Sequence, residues 1–213
     1  GTQEGRTVVR SGDSAGRQQT KELTHKVRQV GNFHPRPIGD FSGAVDTNHV
    51  WSYDFIEDRT AKGGRLRILS VMDEYHRECL TLRAEPSFSA RKVIETLRLL
   101  FLLRGRPEHL KSDNGPEFIA KAVRQWLREQ GVGPIYIEPG SPWQNGTVES
   151  FHATFRQECL NAEVFANGRE ARQVIEDWRD YYNNERLHSS LGYKTPVEFA
   201  AQFNKPTELV LSS

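Results

Sequence analysis

The run Val50-Trp51-Ser52-Tyr53-Asp54-Phe55-Ile56 decides how this chain is read. It is dominated by β-branched and aromatic residues, which favour strands, and it holds one carboxylate. Side chains alternate across a strand, so Trp51, Tyr53 and Phe55 share one face while Asp54 points to the other with Val50 and Ile56. Aspartate is depleted in strands. An acid here is either part of a solvated edge or a residue placed for chemistry.

Working outward, residues 49–57 read as a strand, 61–64 (Ala-Lys-Gly-Gly) as a hairpin turn, and 65–72 and 78–85 as two further strands of an antiparallel meander. Residues 89–104 carry helical apolar spacing at Val93, Leu97, Leu100 and Phe101, and Gly105 and Pro107 end that helix. His109 to Ser112 is a short strand running into Asp113. Residues 116–130 form a helix with Phe118, Val123, Trp126 and Leu127 inward, and Ile135-Tyr136-Ile137 is a fifth strand. A Gly/Ser/Pro loop (139–146) leads into a helix over 147–160. A longer helix over 168–186 carries Ala171, Val174, Ile175, Trp178 and Tyr181 as its stripe. The order β-β-β-α-β-α-β-α-α predicts an α/β fold with a five-stranded mixed sheet flanked by helices. Residues 47–203 form this core, and 204–213 a tail. Residues 1–46, rich in Gly, Ser, Gln, Arg and Thr, read as a disordered or linker segment with a short helix at 18–30, an altered or truncated start.

The chain has 213 residues, 36% hydrophobic and 27% charged, which suits one soluble domain. A net charge of +1 means that nucleic-acid binding would rest on local basic patches rather than overall charge. Cys79 and Cys159 offer neither a zinc spacing nor a disulfide framework, so a reducing cytoplasm is expected. Leu99 to Leu103 is the longest apolar run, far short of a membrane span. There is no P-loop.

Three carboxylates stand out: Asp54, Asp113 in Asp113-Asn114-Gly115-Pro116-Glu117-Phe118, and Glu149 early in a helix, with 35 residues between the last two. Taken singly, Asp113 also reads as a turn residue and Glu149 as a helix-dipole partner. Together they sit on a strand, at a strand end and on a later helix, and can meet at one edge of a sheet. Convergent acids repel unless a cation joins them, which points to a divalent-metal site and phosphoryl transfer. On the helix that carries Glu149, Val148, Phe151, Phe155 and Cys159 fall on one side and Glu149, Ala153 and Arg156 on nearly the opposite one. Arg156 is thus placed to meet a phosphate. Glu117 is a supporting candidate. Asp73, Glu74, Glu57 and Asp58 read as turn acids, and Glu158 as an exposed helix acid. The seven histidines form no evident ligand set. His152, about 60° round the helix from Glu149, reads as reaching the cleft or as an ordinary helix residue. The segment around His188 reads equally as a DNA-backbone contact or as a docking segment for the last helix.

Trp51 to Phe55, Lys111 to Phe118, Ser141-Pro142-Trp143-Gln144-Asn145-Gly146-Thr147-Val148-Glu149-Ser150-Phe151, and Tyr181 to Gly192 followed by Thr195-Pro196-Val197-Glu198-Phe199 occur in this order. Together they resemble the catalytic core of bacterial insertion-sequence transposases. The similar group is the orfB-type enzymes of the insertion-sequence-three family, kin to retroviral integrases, and the resemblance covers residues 48–203. It implies an RNase H-like fold and a site in which Asp54, Asp113 and Glu149 are the catalytic, metal-holding acids. Asn114, Gln144, Asn145 and Arg156 would lie at the DNA, with Gly115 nearby. It also implies Mg²⁺ (or Mn²⁺ in its place), and DNA partners in the form of element ends and target. A homo-oligomer on DNA, a separate helix-turn-helix protein, and action in the bacterial cytoplasm at the nucleoid are implied as well, with no membrane. The expected activity is joining of 3′-hydroxyl ends to target DNA. A remnant that only binds DNA or a full-length partner is the second reading.

Overall fold

The structure, a computed structural model, describes residues 44–112, 121–136 and 146–203. Within them lie strands β1 (Val50–Arg59), β2 (Arg65–Asp73), β3 (Cys79–Glu85), β4 (His109–Ser112) and β5 (Gly133–Tyr136). The helices are α1 (Ala90–Arg104), α2 (Lys121–Glu129), α3 (Gly146–Phe155), α4 (Gly168–Asn184) and α5 (Pro196–Ala201). The strands form one sheet in the order β3-β2-β1-β4-β5. β1, β2 and β3 pair antiparallel, while β1–β4 and β4–β5 are parallel. β1 therefore sits at the centre, where the meander meets the parallel half.

The alternation along β1 divides the core in two. Trp51 and Tyr53 join Leu69, Val71, Leu97, Phe101, Leu110 and Trp126 under α1 and α2. Ile56 joins Ile68, Met72, Phe151, Phe155, Ile175 and Trp178 under α3 and α4. α1 starts at Ser89, whose side chain accepts from Lys92 N, and stops at Gly105, whose φ of 84° suits a residue without Cβ. The β1–β2 turn closes through Gly63 N to Thr60 O and Thr60 N to Gly64 O, both 2.8 Å. α3 is fixed to α4 by packed aromatic rings: Phe155 and Trp178 are tilted with centroids 4.7 Å apart, and Phe151 meets Tyr182 edge-on at 5.0 Å. Such pairs contribute about 0.5–1.5 kcal/mol each beyond burial. Asn183 ties α4 to the start of β3. Its Oδ1 accepts from Cys79 N and its Nδ2 donates to Cys79 O, both at 2.8 Å.

Several expectations are adjusted. β1 runs to Arg59, so Glu57 and Asp58 are strand residues, and Glu57 faces Arg67 across the ladder. The buried stripe of α4 is Ala171, Ile175, Trp178 and Tyr182, while Tyr181 is exposed. Eleven residues make just over three full turns, which puts Tyr182 on the face of Ala171 and leaves Tyr181 about 100° from Tyr182. α4 ends at Asn184, and the predicted 147–160 helix turns π-helical over Arg156–Leu160. The chain also makes a 3₁₀ turn at Ser189–Leu191 and the short α5, capped by a Thr195–Glu198 capping box. Phe118, Ile137, residues 1–43, the start of the predicted 116–130 helix, most of the 139–146 loop and the 204–213 tail lie outside the described residues.

Candidate active site

Asp54 occupies the middle of β1, on the face covered by α3. The hairpin register places it opposite Ser70 of β2. Its carboxylate is 23% exposed and its Oδ1 accepts from Phe55 N at 2.7 Å. From above, His152 of α3 brings Nδ1 to 3.6 Å from Asp54 Oδ2, while its Nε2 lies 2.8 Å from Ser70 Oγ. His152 therefore reaches Asp54, and it bridges the helix to two strands.

Burial, helped by the positive charge of Arg156, pushes His152 down to about 4 from an ordinary 6.5, so the imidazole is neutral near neutrality. A neutral ring has one N–H. Assigned from the network, that proton belongs on Nδ1, facing the Asp54 carboxylate, with the single Ser70 hydroxyl proton shared between Nε2 and Asp54 O, 3.1 Å away. The opposite tautomer would turn a lone pair toward a carboxylate.

Glu149 lies in the first turn of α3 and is exposed. Three residues before His152, it is about 4.5 Å back along the axis from the residue that touches Asp54. Thus the two described acids belong to two elements coupled by His152. Buried Val148, Phe151 and Phe155 hold the opposite side of α3, as the periodicity required. Arg156, one further turn on, is exposed and donates from Nη2 to Glu57 O at 3.3 Å. Asp113, Asn114, Glu117, Gln144 and Asn145 lie outside the described residues. The strand that delivers Asp113 is nevertheless visible: β4 pairs with β1 in parallel, Lys111 aligning with Ser52. Lys111 is buried and its ammonium pairs with Glu74, whose Oε1 also takes the Ser52 hydroxyl.

Sequence reasoning missed these contacts. Asp73 is the last residue of β2 and Glu74 lies in the turn after it, and both are buried. Asp73 Oδ2 accepts from Asn48 N at 2.8 Å, and Oδ1 accepts from Tyr75 N at the same distance. They lie at the carboxyl end of β2 and stay buried because donors meet them, backbone N–H groups at Asp73 and the Lys111 and Ser52 side chains at Glu74. Glu158 is likewise engaged: it takes Arg186 in a fork of contacts at 2.8–3.0 Å. The histidines do converge at one point, where ligand atoms of His49, Glu108 and His109 lie within 4.8 Å of one another. That cluster is at the amino ends of β1 and β4, five residues from Asp54, or about 16 Å along a strand. Around His188, the backbone forms an isolated bridge to Lys194, and Thr195 then caps α5, so this segment does dock the last helix. Among the described residues no helix is long and apolar enough to cross a membrane.

The donor set suits a hard divalent cation. Asp54 and Glu149 carry carboxylate oxygens, the ligand type such cations take, and β4 leads to the third acid in sequence.

Two family models, both described as Integrase core domain, match the chain over residues 44–142 and 130–196. The chain belongs to the integrase core family. It is 39% identical over 171 residues to the "Insertion element IS476 uncharacterized 39.2 kDa protein" of Xanthomonas euvesicatoria, covering 79% of this chain and 49% of the relative. With the "Insertion element IS407 uncharacterized 31.7 kDa protein" of Burkholderia multivorans it shares 40% over 155 residues, covering 73% and 56%. The chain thus spans about half the length of these curated relatives. A "Transposase for insertion sequence element IS904" of Lactococcus lactis is 30% identical over 172 residues, covering 78% and 66%. Among solved structures, an HTLV-2 integrase catalytic core domain in complex with magnesium matches with a TM-score of 0.54 at 16% identity, over 72% of this chain and 97% of that one. A chain of a simian T-cell lymphotropic virus intasome matches at 0.63 and 16% identity, over 91% and 69%. The integrase core of this chain is therefore an RNase H-like fold, a five-stranded mixed sheet flanked by helices, as its sequence predicted.

Proposed function

We propose that residues 47–203 are the catalytic core of a DNA transposase that joins 3′-hydroxyl DNA ends to target DNA by metal-dependent phosphoryl transfer. The observation that carries this is the seating of His152 against Asp54, which brings the helix of Glu149 onto the central strand. Asp54, Asp113 and Glu149 are the metal-holding acids. A bound Mg²⁺, with Mn²⁺ as a substitute, would stabilise charge on the phosphate and acidify the attacking hydroxyl. The magnesium complex of the HTLV-2 core supports this choice of ion.

The chain's own residues supply position and charge. His152 and Ser70 hold Asp54 in one rotamer. Arg156, exposed at the end of the Glu149 face, meets a DNA phosphate, and Asn114, Gln144 and Asn145 flank the reacting strand. The attacking 3′-oxygen forms a bond to the target phosphorus as the target's own 3′-oxygen leaves. The core works as a multimer on two DNA ends, a reading supported by the dimeric and trimeric forms of the HTLV-2 core. End recognition falls to segments or partners outside 47–203, for which a helix-turn-helix protein is suited. The work is done on bacterial DNA in the cytoplasm. The test is strand transfer with Mg²⁺ by Asp54→Asn and Asp113→Asn. Both variants should bind DNA and fail to join it; joining at the unmodified protein's rate by either would remove it from the site.

A further inference from the structure

A polar groove of about 570 Å³ runs beside α3 on the shoulder away from Asp54. Thr147 and Ser150 of α3 form one wall, and Arg77 of the β2–β3 turn closes one end. Arg186, Ser190 and Tyr193, from the segment after α4, form the other wall. Nothing in the proposed joining step uses these residues.

Two features single the groove out. Among the described residues only three besides glycine have positive φ, and two of them line this groove: Arg77 at 61° and Tyr193 at 59°. A bulky residue in that region costs energy, and such strain gathers at functional sites. Here it holds a guanidinium over the groove and presents a tyrosine ring, 73% exposed, at its rim. The second feature is charge. Arg77 donates to Thr147 Oγ1 and, among the described residues, makes no ion pair with a carboxylate, whereas Arg186 is matched by Glu158. Among the described residues the groove therefore keeps one cation without a carboxylate partner amid hydroxyls. His188, which also lines it, senses that field: burial first, then Arg186 and Arg77, hold its pKa below the ordinary value.

We propose that this groove seats the sugar–phosphate backbone of a DNA strand, with Arg77 against a phosphate and Tyr193 stacked on an unpaired base. The proposal deepens the transposase reading and rests on it. Thr147 and Ser150 flank Glu149 in sequence, and a helix is only about 10–12 Å across. A strand reacting at Glu149 can thus pass within a nucleotide or two into the groove. Hydroxyls and a guanidinium contact phosphates without regard to sequence, and an aromatic ring stacks on any base.

The experiment is fluorescence anisotropy with the full chain. The probes are a short single strand and a duplex of arbitrary sequence across a salt series, with joining measured on the same preparations. Arg77→Gln should weaken binding several-fold to both probes. Its slope of log affinity against log salt should fall by about 0.7–0.9, the loss of one phosphate contact. Ser190→Glu, at an exposed position that leaves the fold intact, should weaken both further. Tyr193→Ala should weaken the single strand by about fivefold or more and the duplex less. If the unmodified chain binds and joins DNA while Arg77→Gln and Ser190→Glu keep its affinity and salt slope, the groove assignment fails and the joining reading stands. An unmodified chain that binds neither probe overturns both.

Discussion

Replacing His152 with alanine removes the link between the helix of Glu149 and the strand of Asp54. The imidazole is 18% exposed and gives one neutral hydrogen bond, at 2.8 Å to Ser70 Oγ. Its loss should cost about 1–2 kcal/mol of stability. For a domain of this size that is a fall in Tm of about 2–8 °C, so the fold survives. The functional loss should be larger. Residues that orient a metal ligand typically change metal affinity or activity by about 10–100-fold, or about 1.4–2.8 kcal/mol. Without the imidazole the Oδ2 side of Asp54 loses its brace, while Oδ1 keeps Phe55 N and the oxygens remain chemically the same.

The assay separates these effects. Mn²⁺ binding followed by electron paramagnetic resonance or calorimetry reports the site without any DNA, and strand transfer reports the joined product. His152→Ala should weaken Mn²⁺ binding by at least about tenfold, with joining reduced in step. Ser70→Ala should do less, because the helix still delivers the ring. The double variant should lose less than the sum of the two single effects, since the His152–Ser70 hydrogen bond is common to both. Mn²⁺ affinity and joining within twofold of the unmodified protein, in a folded His152→Ala, would show that this histidine does not position Asp54.

Four further outcomes are expected. Asp54→Asn, Asp113→Asn and Glu149→Gln should each lower Mg²⁺-dependent joining by at least about 10²-fold, measured by gel analysis of joined strands, with melting temperature nearly unchanged. Asn183→Ala should destabilise the fold by about 1–3 kcal/mol in denaturant titrations, because it strips the side-chain acceptor from buried Cys79 N and leaves Cys79 O with only the Arg179 guanidinium of its two side-chain donors. Stability should decline as pH falls below about 6.5 toward 4. His152, brought down to about 4, and His188, also lowered, are kept neutral in the fold and take up protons more readily once unfolded; the Asp54 carboxylate near His152 tempers the decline, and thermal melts across this range check it. Burial raises both thiols, Cys159 to about 12 and Cys79 further, so a thiol reagent at pH 8 should label them only after denaturation.

Much of this architecture was legible because it is local. Alternation in Val50 to Ile56 put Trp51 and Tyr53 on one face and Asp54 on the other, and the structure buries the two rings with α1 and α2. The 3.6-residue stripe turned Val148, Phe151 and Phe155 inward and left Glu149 and Arg156 exposed. What stayed hidden depends on contacts between distant residues. Ser70 meets Asp54 only through the register of a hairpin sixteen residues long in separation, and His152 reaches both only after α3 docks. Glu74 and Lys111 look like surface charges in sequence because each lies 37 residues from the other. Tyr181 was preferred to Tyr182 through a slip of one residue, which on a helix is about 100°.

The two faces of β1 show how one strand serves both stability and chemistry. Trp51, Tyr53 and Phe55 make one face almost wholly aromatic and anchor the strand against α1 and α2. The other reads Val50, Ser52, Asp54, Ile56, with polar groups where the core would take aliphatic ones, and the partners opposite match: Ser70 faces Asp54 and Lys111 aligns with Ser52. A polar column between apolar clusters lowers the burial available to that face, and a sequence selected only for stability would fill it with valine or isoleucine. Here each polar group is given a partner, so the column is rigid rather than merely tolerated. The carboxylate proposed to hold metal, on the central strand of the sheet and braced by a neutral histidine on a helix packed through aromatic rings, is held more firmly than one on a loop could be. The lower burial on one face of β1 is therefore the counterpart of its function, and the aromatic face is what offsets it.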